Sequence, residues 1–452
     1  SWDQPGDRFT YEGRFTVEER FVVVSNGRLV AREPRPERPG WVSWTYALQD
    51  QDLVSYLVMV AAAEYRVVAE SWRGKPVLTY FPPDVDEATA RRTTGRTLGM
   101  LDFMSDATGV DYPYPGYSQV FVQRFLWSGM ENTSATVLER NLLVQQEVAP
   151  HQQRTQGVVA HELAHQWFGD LLTMRDFSHR WLNEGITTFL ESWWWETGMG
   201  PEEAADRVFS RVRGTVEADD RGTGPLVVPF FAAQSDPRSN NVYSRGALVM
   251  QMLRVLLGDE DFRRALQLYV GRHQGGLVTT DDLQRAFEDS SGLALGWFFQ
   301  QWTTLAGHPS LRIESAFDAE AGALRVTAKQ TQTVAGLVPR FVVPLDLEIG
   351  TADGGVVEQR IWLDGDEASS VVLPLGAPPR YVAVDPGGGL LAAIELEQSD
   401  DAWVALLGTS PSPHVRRAGW DAVARHKGPP NEALRSFVGA VLSDGAAHPL
   451  WR

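Results

Sequence analysis

The sequence contains no cysteine. This absence excludes disulfide bonds and thiolate metal ligands, and it leaves histidine and carboxylate side chains as the strong zinc ligands that the chain offers. A chain without cysteine suits the cytoplasm as well as the periplasm or secretion. The cellular compartment therefore stays open.

Basic residues and long apolar runs are both scarce. Lys and Arg number 41 against 58 Asp and Glu, which gives a formal net charge of −17. The electrostatic field of such a chain repels nucleic acid and anionic membrane surfaces and favours cationic ligands.

The longest apolar run, around residues 53–63, is shorter than the ~20 residues of a membrane span. The chain does not begin with a charged segment followed by an apolar one, as a secretory signal peptide does. We expect a soluble protein without a nucleic-acid partner or membrane span; its oligomeric state is open.

Patterning along the 452 residues, 43% of them apolar, predicts several domains. Residues 1–72 carry short alternating runs such as 21–24 and 56–60 between turn signals, which indicates a β domain. Residues 73–306 show helical periodicity around 156–170, 183–197 and 244–257 together with two strand-like runs, which is typical of an α+β domain.

The pattern changes again after residue 306. Residues 307–398 return to strand-like runs spaced by glycine and aspartate turns, which predicts a β-sandwich. Residues 399–452 become helical and resemble the opening of a helical repeat. The predicted fold class is therefore α+β and multidomain.

A short segment, His161-Glu162-Leu163-Ala164-His165, carries the strongest chemical signal. On a helix, side chains four residues apart project from one face, so both imidazoles reach one ion. A catalytic zinc needs a third protein ligand and an open position for water, and Glu184 supplies a carboxylate at the start of the next predicted helix. We therefore expect one zinc ion, bound by His161, His165 and Glu184.

Glu162 lies between the two histidines and is not needed as a ligand. Zinc lowers the pKa of its bound water to about 7, and a neighbouring carboxylate takes the proton and later delivers it to the leaving amine. Glu162 is the candidate for that role. A chance match to this pattern has odds on the order of one in a hundred, and the correctly spaced Glu184 lowers them further.

These residues resemble the zinc signature of the aminopeptidase N family of gluzincins, which includes leukotriene A4 hydrolase. A second motif, Ser128-Gly129-Met130-Glu131-Asn132, is similar to the family's Gly-x-Met-Glu-Asn exopeptidase motif, with Ser and Gly where Gly and Ala are usual. The resemblance implies that Glu131 pairs with the α-ammonium of the substrate and that main-chain groups of Gly129 and Met130 pair with the peptide. It also implies a thermolysin-like fold for residues 73–306.

The segment Asn241-Val242-Tyr243-Ser244-Arg245-Gly246 is similar to the family segment with an oxyanion-stabilising tyrosine. The resemblance therefore assigns this role to Tyr243. Outside these motifs, we interpret three other histidines, His151, His179 and His308, as turn or surface residues. We interpret the run Trp193-Trp194-Trp195 as helix residues buried between layers.

The chain departs from the family pattern at both ends. Its opening residues, Ser1 to Thr10, resemble the family's Asp-x-Pro segment, which normally lies well inside the first β domain. From this we expect the N-terminal β domain to be truncated and a second amine-binding residue to be missing. The helical tail is also short compared with the long C-terminal domain of the family.

The leading hypothesis is a zinc-dependent aminopeptidase that hydrolyses the N-terminal bond of peptides with a free amine. Epoxide hydrolysis and endopeptidase activity on the same zinc site are alternatives, as is an inactive truncated form that only binds peptides. The preferred N-terminal residue and the natural substrate are not fixed by the sequence.

Overall fold

The computed structural model describes residues 5–143, 152–198, 200–228, 241–426 and 428–444. Ser1–Gln4, which belong to the Asp-x-Pro-like segment, and His151 lie outside the described residues. The chain divides into two compact units, one of Ser1–Trp194 with Glu260–Leu293 and one of Trp195–Asp259 with Ala294–Arg452. The four predicted segments, 1–72, 73–306, 307–398 and 399–452, stay a prediction.

The first unit begins with β structure, as the alternating sequence pattern predicts. Its strands are β1 (Arg8–Glu18), β2 (Val22–Ser25), β3 (Arg28–Pro34), β4 (Trp41–Val54) and β5 (Val60–Ala63). They form a three-stranded sheet β1-β4-β3 and a two-stranded sheet β2-β5. The predicted strand over 56–60 is wrong, because Ser55–Leu57 form a 3₁₀ turn between β4 and β5 with Leu57 buried.

A five-stranded mixed sheet follows. Its strands and the helices between them are β6 (Arg66–Trp72), β7 (Lys75–Phe81), α1 (Glu87–Thr94), α2 (Thr97–Thr108), β8 (Tyr117–Val122), β9 (Gly129–Met130) and β10 (Ala135–Glu139). The strand order is β6-β7-β8-β10-β9. Strands β7, β8 and β10 run parallel, and the crossover from β7 to β8 passes through α1 and α2, as a parallel connection requires. The short strand β9 pairs antiparallel with β10 at the edge.

The middle of the chain is mainly helical. Its elements are α3 (Gln152–Ala164), β11 (Thr173–Met174), α4 (Trp181–Gly198), α5 (Pro201–Asp220), α6 (Asn241–Leu257), α7 (Asp259–His273), β12 (Leu277–Val278) and α8 (Thr280–Ser291). The three predicted helices correspond to α3, α4 and α6. Trp193, Trp194 and Trp195 are all buried, and Trp193 packs edge-on against Phe103 and Phe262, which confirms their interpretation as core residues.

The second unit combines α5 and α6 with the C-terminal part of the chain. The remaining elements are α9 (Gly296–Phe299), β13 (Ser310–Asp318), β14 (Ala323–Gln330), β15 (Val342–Gly350), β16 (Val356–Asp364), β17 (Ala368–Pro374), β18 (Tyr381–Val384), β19 (Ala393–Leu396), α10 (Asp400–Thr409), α11 (Pro413–Ala424) and α12 (Glu432–Ser443). The strands form two sheets, β17-β14-β13-β19 and β16-β15-β18. Trp403, Leu406 and Val415 of the terminal helices share a core cluster with Tyr381 of β18.

A buried arginine joins three segments within this second unit. Arg245 of α6 donates to Asp219 at the end of α5 over 2.9 Å and to the carbonyl oxygen of Gly307 over 2.8 Å. His308 is only 6% exposed, and its Nδ1 lies 3.5 Å from Asp219. The interpretation of His308 as a turn or surface histidine is therefore wrong, because it packs beside a buried carboxylate.

The described residues thus form a mixed α/β structure with several sheets and helices. Among them, no helix combines the length and the apolar character that crossing a membrane requires.

Candidate metal centre

Three side chains of the first unit converge on one point. The Nε2 atoms of His161 and His165 are 3.1 Å apart, and Glu184 Oε2 lies 3.5 Å from His161 Nε2 and 3.4 Å from His165 Nε2. These three residues form a candidate metal-binding group. It is the set that the sequence spacing predicts.

Local structure explains the convergence. Helix α3 ends at Ala164, but the His165 amide still donates to the His161 carbonyl, so the two histidines remain one helical turn apart. His165 Nδ1 lies 2.9 Å from the Phe168 carbonyl oxygen. A carbonyl accepts only from a protonated Nδ1, so this contact leaves the Nε2 lone pair directed at the centre. Glu184 lies in the first turn of α4.

The distances fit zinc. Nitrogen and oxygen ligands bind zinc at about 2.0–2.2 Å, and tetrahedral geometry then separates ligand atoms by roughly 3.3–3.6 Å. The observed ligand separations of 3.1, 3.4 and 3.5 Å are close to that range. Two imidazoles and one carboxylate also form the donor set of hydrolytic zinc sites.

A second group of side chains shares His165. Glu131, Glu162 and His165 place one ligand atom each within 4.8 Å of one another. Glu162 is buried and Glu131 is partly buried. Gly129 lies directly against Glu162, since a Cβ built on Gly129 would meet Glu162 Oε1 at 2.4 Å. The structure therefore places Glu131, Glu162 and Gly129 beside the candidate metal ligands.

Strand β9 presents its backbone to this region. The Glu139 amide of β10 donates to the Ser128 carbonyl over 2.9 Å, and Gly129 is paired with Leu138. Backbone groups of successive residues in a strand point to opposite sides, so the N–H and C=O of Gly129 face the open edge. The side chain of Met130 packs against the core cluster that contains Val120.

Burial and neighbouring charges shift the pKa values of these groups strongly. Burial raises the pKa of Glu162 well above its ordinary value and also raises the pKa of Glu131. For Glu184, burial is outweighed by hydrogen bonds from His161 and His165, which hold its pKa below the usual range. Burial opposes protonation of His165, but the surrounding carboxylates raise its pKa to about 10. The surplus of carboxylates favours a bound cation.

Tyr243 belongs to the second unit. It is the third residue of α6, and its side chain is 39% exposed. The candidate metal ligands belong to the first unit, so the assignment of Tyr243 rests on the resemblance of its sequence segment alone. His179 Nδ1 lies 3.0 Å from Thr280 Oγ1, where the ring is partly buried.

Three residues near the site have no counterpart in the sequence-based prediction. Thr188 Oγ1 lies 3.5 Å and Glu191 Oε2 lies 3.8 Å from His161 Nδ1. With Glu184 they follow the i, i+4, i+7 spacing of one helical face, a signal that could have found them. Buried Gln166 donates to the Glu131 carbonyl over 3.0 Å and accepts from the Ser134 amide over 2.7 Å; no periodicity indicates these contacts.

Comparisons with known proteins agree with this geometry. Residues 93–302 match the family model of the peptidase family M1 domain. Glutamyl aminopeptidase of Sus scrofa is 28% identical over 321 residues, which are 69% of this chain and 34% of the relative. Aminopeptidase N of Caulobacter vibrioides is 28% identical over 334 residues, which are 71% of this chain and 38% of the relative.

The fold has a solved counterpart. The structure of Legionella pneumophila aminopeptidase A in complex with aspartic acid superposes with a TM-score of 0.83 at 20% identity, covering 98% of this chain and 52% of the other. This likeness shows that the chain shares the fold of that structure. The chain spans only about a third of the length of the curated relatives described above.

The homology relates the chain to metallopeptidases, and the candidate metal-binding group agrees with that relationship. In particular, residues 93–302 are a peptidase family M1 domain, and the chain is homologous to glutamyl aminopeptidase and aminopeptidase N. The resemblance found in the sequence motifs is thereby confirmed. The family is metal-dependent, and the described residues contain a matching candidate metal-binding group.

Proposed function

We propose that the chain is a zinc-dependent aminopeptidase that releases the N-terminal residue of peptides with a free amine. The observation that carries the proposal is the overlap of two groups at His165, one that fits zinc and one that contains Glu131 and Glu162. His161, His165 and Glu184 would hold one zinc ion. When bound, zinc supplies a Lewis acid that polarises the scissile carbonyl and makes water more acidic.

Glu162 is the proposed general base. Its carboxylate is buried beside the ligands and lies against Gly129 of the edge strand. A carboxylate in this place can take a proton from the attacking water and deliver it to the leaving amine. The burial of Glu162 also excludes bulk water from the proton transfer.

Glu131 is the proposed amine anchor. It lies within the same small group as Glu162, and Gln166 fixes its backbone carbonyl. A charge-assisted hydrogen bond to the α-ammonium would place the first peptide bond beside Glu162. Gly129 and Met130 would align the peptide backbone along β9. Such an anchor leaves room for only one residue ahead of the cut.

Tyr243 is the proposed oxyanion donor. Its support is the resemblance of its segment to the family's tyrosine segment. A phenol donates a hydrogen bond without carrying charge, which is most effective where water is excluded. We further propose that 73–306 form a thermolysin-like catalytic domain, flanked by an N-terminal β domain (1–72), a β-sandwich (307–398) and a helical segment (399–452).

A panel of fluorogenic aminoacyl amides, each assayed with and without a zinc chelator, tests the proposal. We expect hydrolysis that the chelator abolishes and that added zinc restores. Acetylation of the substrate amine should abolish cleavage, and continued cleavage would indicate an endopeptidase. Glu162→Gln should remove turnover while zinc content is retained, whereas the exposed control Glu87→Gln should behave as wild type. Full turnover in Glu162→Gln would contradict the proposed role.

A further inference from the structure

An exposed apolar loop directly precedes the edge strand β9. Leu126 is 87% and Trp127 61% exposed, which makes them the two most exposed large apolar side chains in the described part of the chain. Single exposed apolar residues are common, but adjacent ones beside a binding edge mark interaction sites. The loop is therefore a candidate for contact with a ligand.

The loop is anchored to the core of the first unit. The ring of Trp127 meets the ring of Phe125 edge-on with centroids 5.8 Å apart. Phe125 in turn packs against the buried cluster that contains Tyr80 and Val120. An anchored aromatic loses little conformational freedom on binding, so its contacts contribute more to affinity.

The direction of a bound peptide follows from the site. If Glu131 holds the N-terminal amine and Glu162 acts beside Gly129, the peptide must run from Glu131 towards Gly129, which is antiparallel to β9. The outward N–H and C=O of Gly129 permit this pairing. Residues after the scissile bond then continue past Ser128 towards Trp127 and Leu126.

We propose that Leu126 and Trp127 bind the second and third residues after the scissile bond and select peptides with apolar side chains there. This inference rests on the proposed function. Trp127 and Leu126 lie two and three positions before Gly129, in the bend that leads into β9. If the first peptide residue lies opposite Gly129, an antiparallel peptide meets this bend with its third and fourth residues. The substrate class is therefore apolar peptides of four residues or more, in preference to dipeptides.

Two tetrapeptides test the proposal, alanyl-alanyl-leucyl-leucine and alanyl-alanyl-seryl-serine. We expect wild type to favour the leucyl peptide in kcat/KM by about tenfold, a typical value for a small apolar contact. Trp127→Ser with Leu126→Ser should bring the ratio close to one. Val67→Ser, a control at an exposed apolar residue of the five-stranded sheet, far along the strand order from β9 (43% exposed), should keep the wild-type ratio.

The outcomes separate the two proposals. The inference is overturned if wild type cleaves both tetrapeptides with similar kcat/KM, or if the double variant keeps the wild-type ratio of kcat/KM. In either case, hydrolysis of the peptides still supports the proposed function. If no peptide is cleaved, the proposed function fails, and calorimetric binding of both tetrapeptides still decides the inference. A preference for the leucyl peptide that Trp127→Ser abolishes supports it, and equal binding overturns it. A dimer in sedimentation that Trp127→Ser dissociates, with unchanged peptide preference, would instead show an interface between two copies.

Discussion

Replacing Arg245 by methionine should strongly destabilise the second unit. The side chains of Arg245 and Asp219 are both fully buried and form an ion pair of 2.9 Å. Arg245 also donates to the carbonyl oxygens of Gly307 over 2.8 Å and Trp302 over 3.3 Å. Arg245→Met removes the positive charge and leaves these acceptors and a buried carboxylate behind.

The expected loss follows from the burial of the pair. Removing one partner of a buried ion pair costs about 3–5 kcal/mol because the other charge remains buried. Among the described residues, Asp219 would keep weak partners, since Asn241 Nδ2 lies 3.4 Å and His308 Nδ1 3.5 Å away. In units of 150–250 residues, each kcal/mol shifts Tm by about 2–4 °C, so we expect a fall of roughly 6–20 °C.

Thermal unfolding of Arg245→Met, Asp219→Asn and the double variant measures this effect. The double variant should be more stable than the sum of the single losses predicts, because it leaves no unpaired charge. Arg264→Met is a matched control, since Arg264 pairs with Glu260 on the surface and should change stability by less than about 0.5 kcal/mol. Strictly additive losses, or a loss below about 1 kcal/mol in Arg245→Met, would refute the reasoning.

Three further predictions concern the metal, the reaction and pH. Glu184→Gln should weaken zinc binding by more than the roughly 10–100-fold that is typical when a residue hydrogen-bonded to a metal ligand is replaced. Competition with a chromophoric chelator measures the zinc affinity, and an unchanged affinity would exclude Glu184 as a ligand. Tyr243→Phe should lower kcat about 100-fold or more with zinc content unchanged, and a wild-type kcat would remove Tyr243 from the mechanism. Burial lowers the pKa of His414 to about 4 from 6.5. As pH falls below 6.5, this histidine is protonated in the unfolded chain before it is protonated in the folded one. The free energy of unfolding is therefore unaffected by His414 above pH 6.5 and decreases as pH falls towards 4. His414→Asn should therefore flatten the fall in Tm over this range, and an identical pH profile would contradict the assignment.

Local spacing made the metal group predictable. His161 and His165 are one helical turn apart, and Glu184 opens the next long helix, so sequence spacing was enough to select these three residues as one candidate group. The strand patterns of residues 75–81 and 117–122 are equally local. Such features depend on propensity and periodicity, which a sequence displays directly.

Long-range contacts were not predictable in this way. Asp219 and Arg245 pair across 26 positions, and His308 joins them from just before β13. The run 56–60 is not a continuous strand because a 3₁₀ turn over Ser55–Leu57 separates β4 from β5, and tertiary packing overrides the β propensity of the run. The exposure of Trp127 likewise depends on the position of its loop beside the edge strand β9, which the sequence does not display.

The shortness of β9 has a consequence for self-association. An open sheet edge is a template on which any extended chain can add, and long flat edges promote aggregation. Strand β9 has only two residues, and Gly129 alone directs its hydrogen-bonding groups outward. The end of a single peptide can pair with such an edge, whereas another sheet finds too few hydrogen bonds to dock. The same brevity that would confine recognition to a peptide terminus thus protects this edge against pairing between folded molecules.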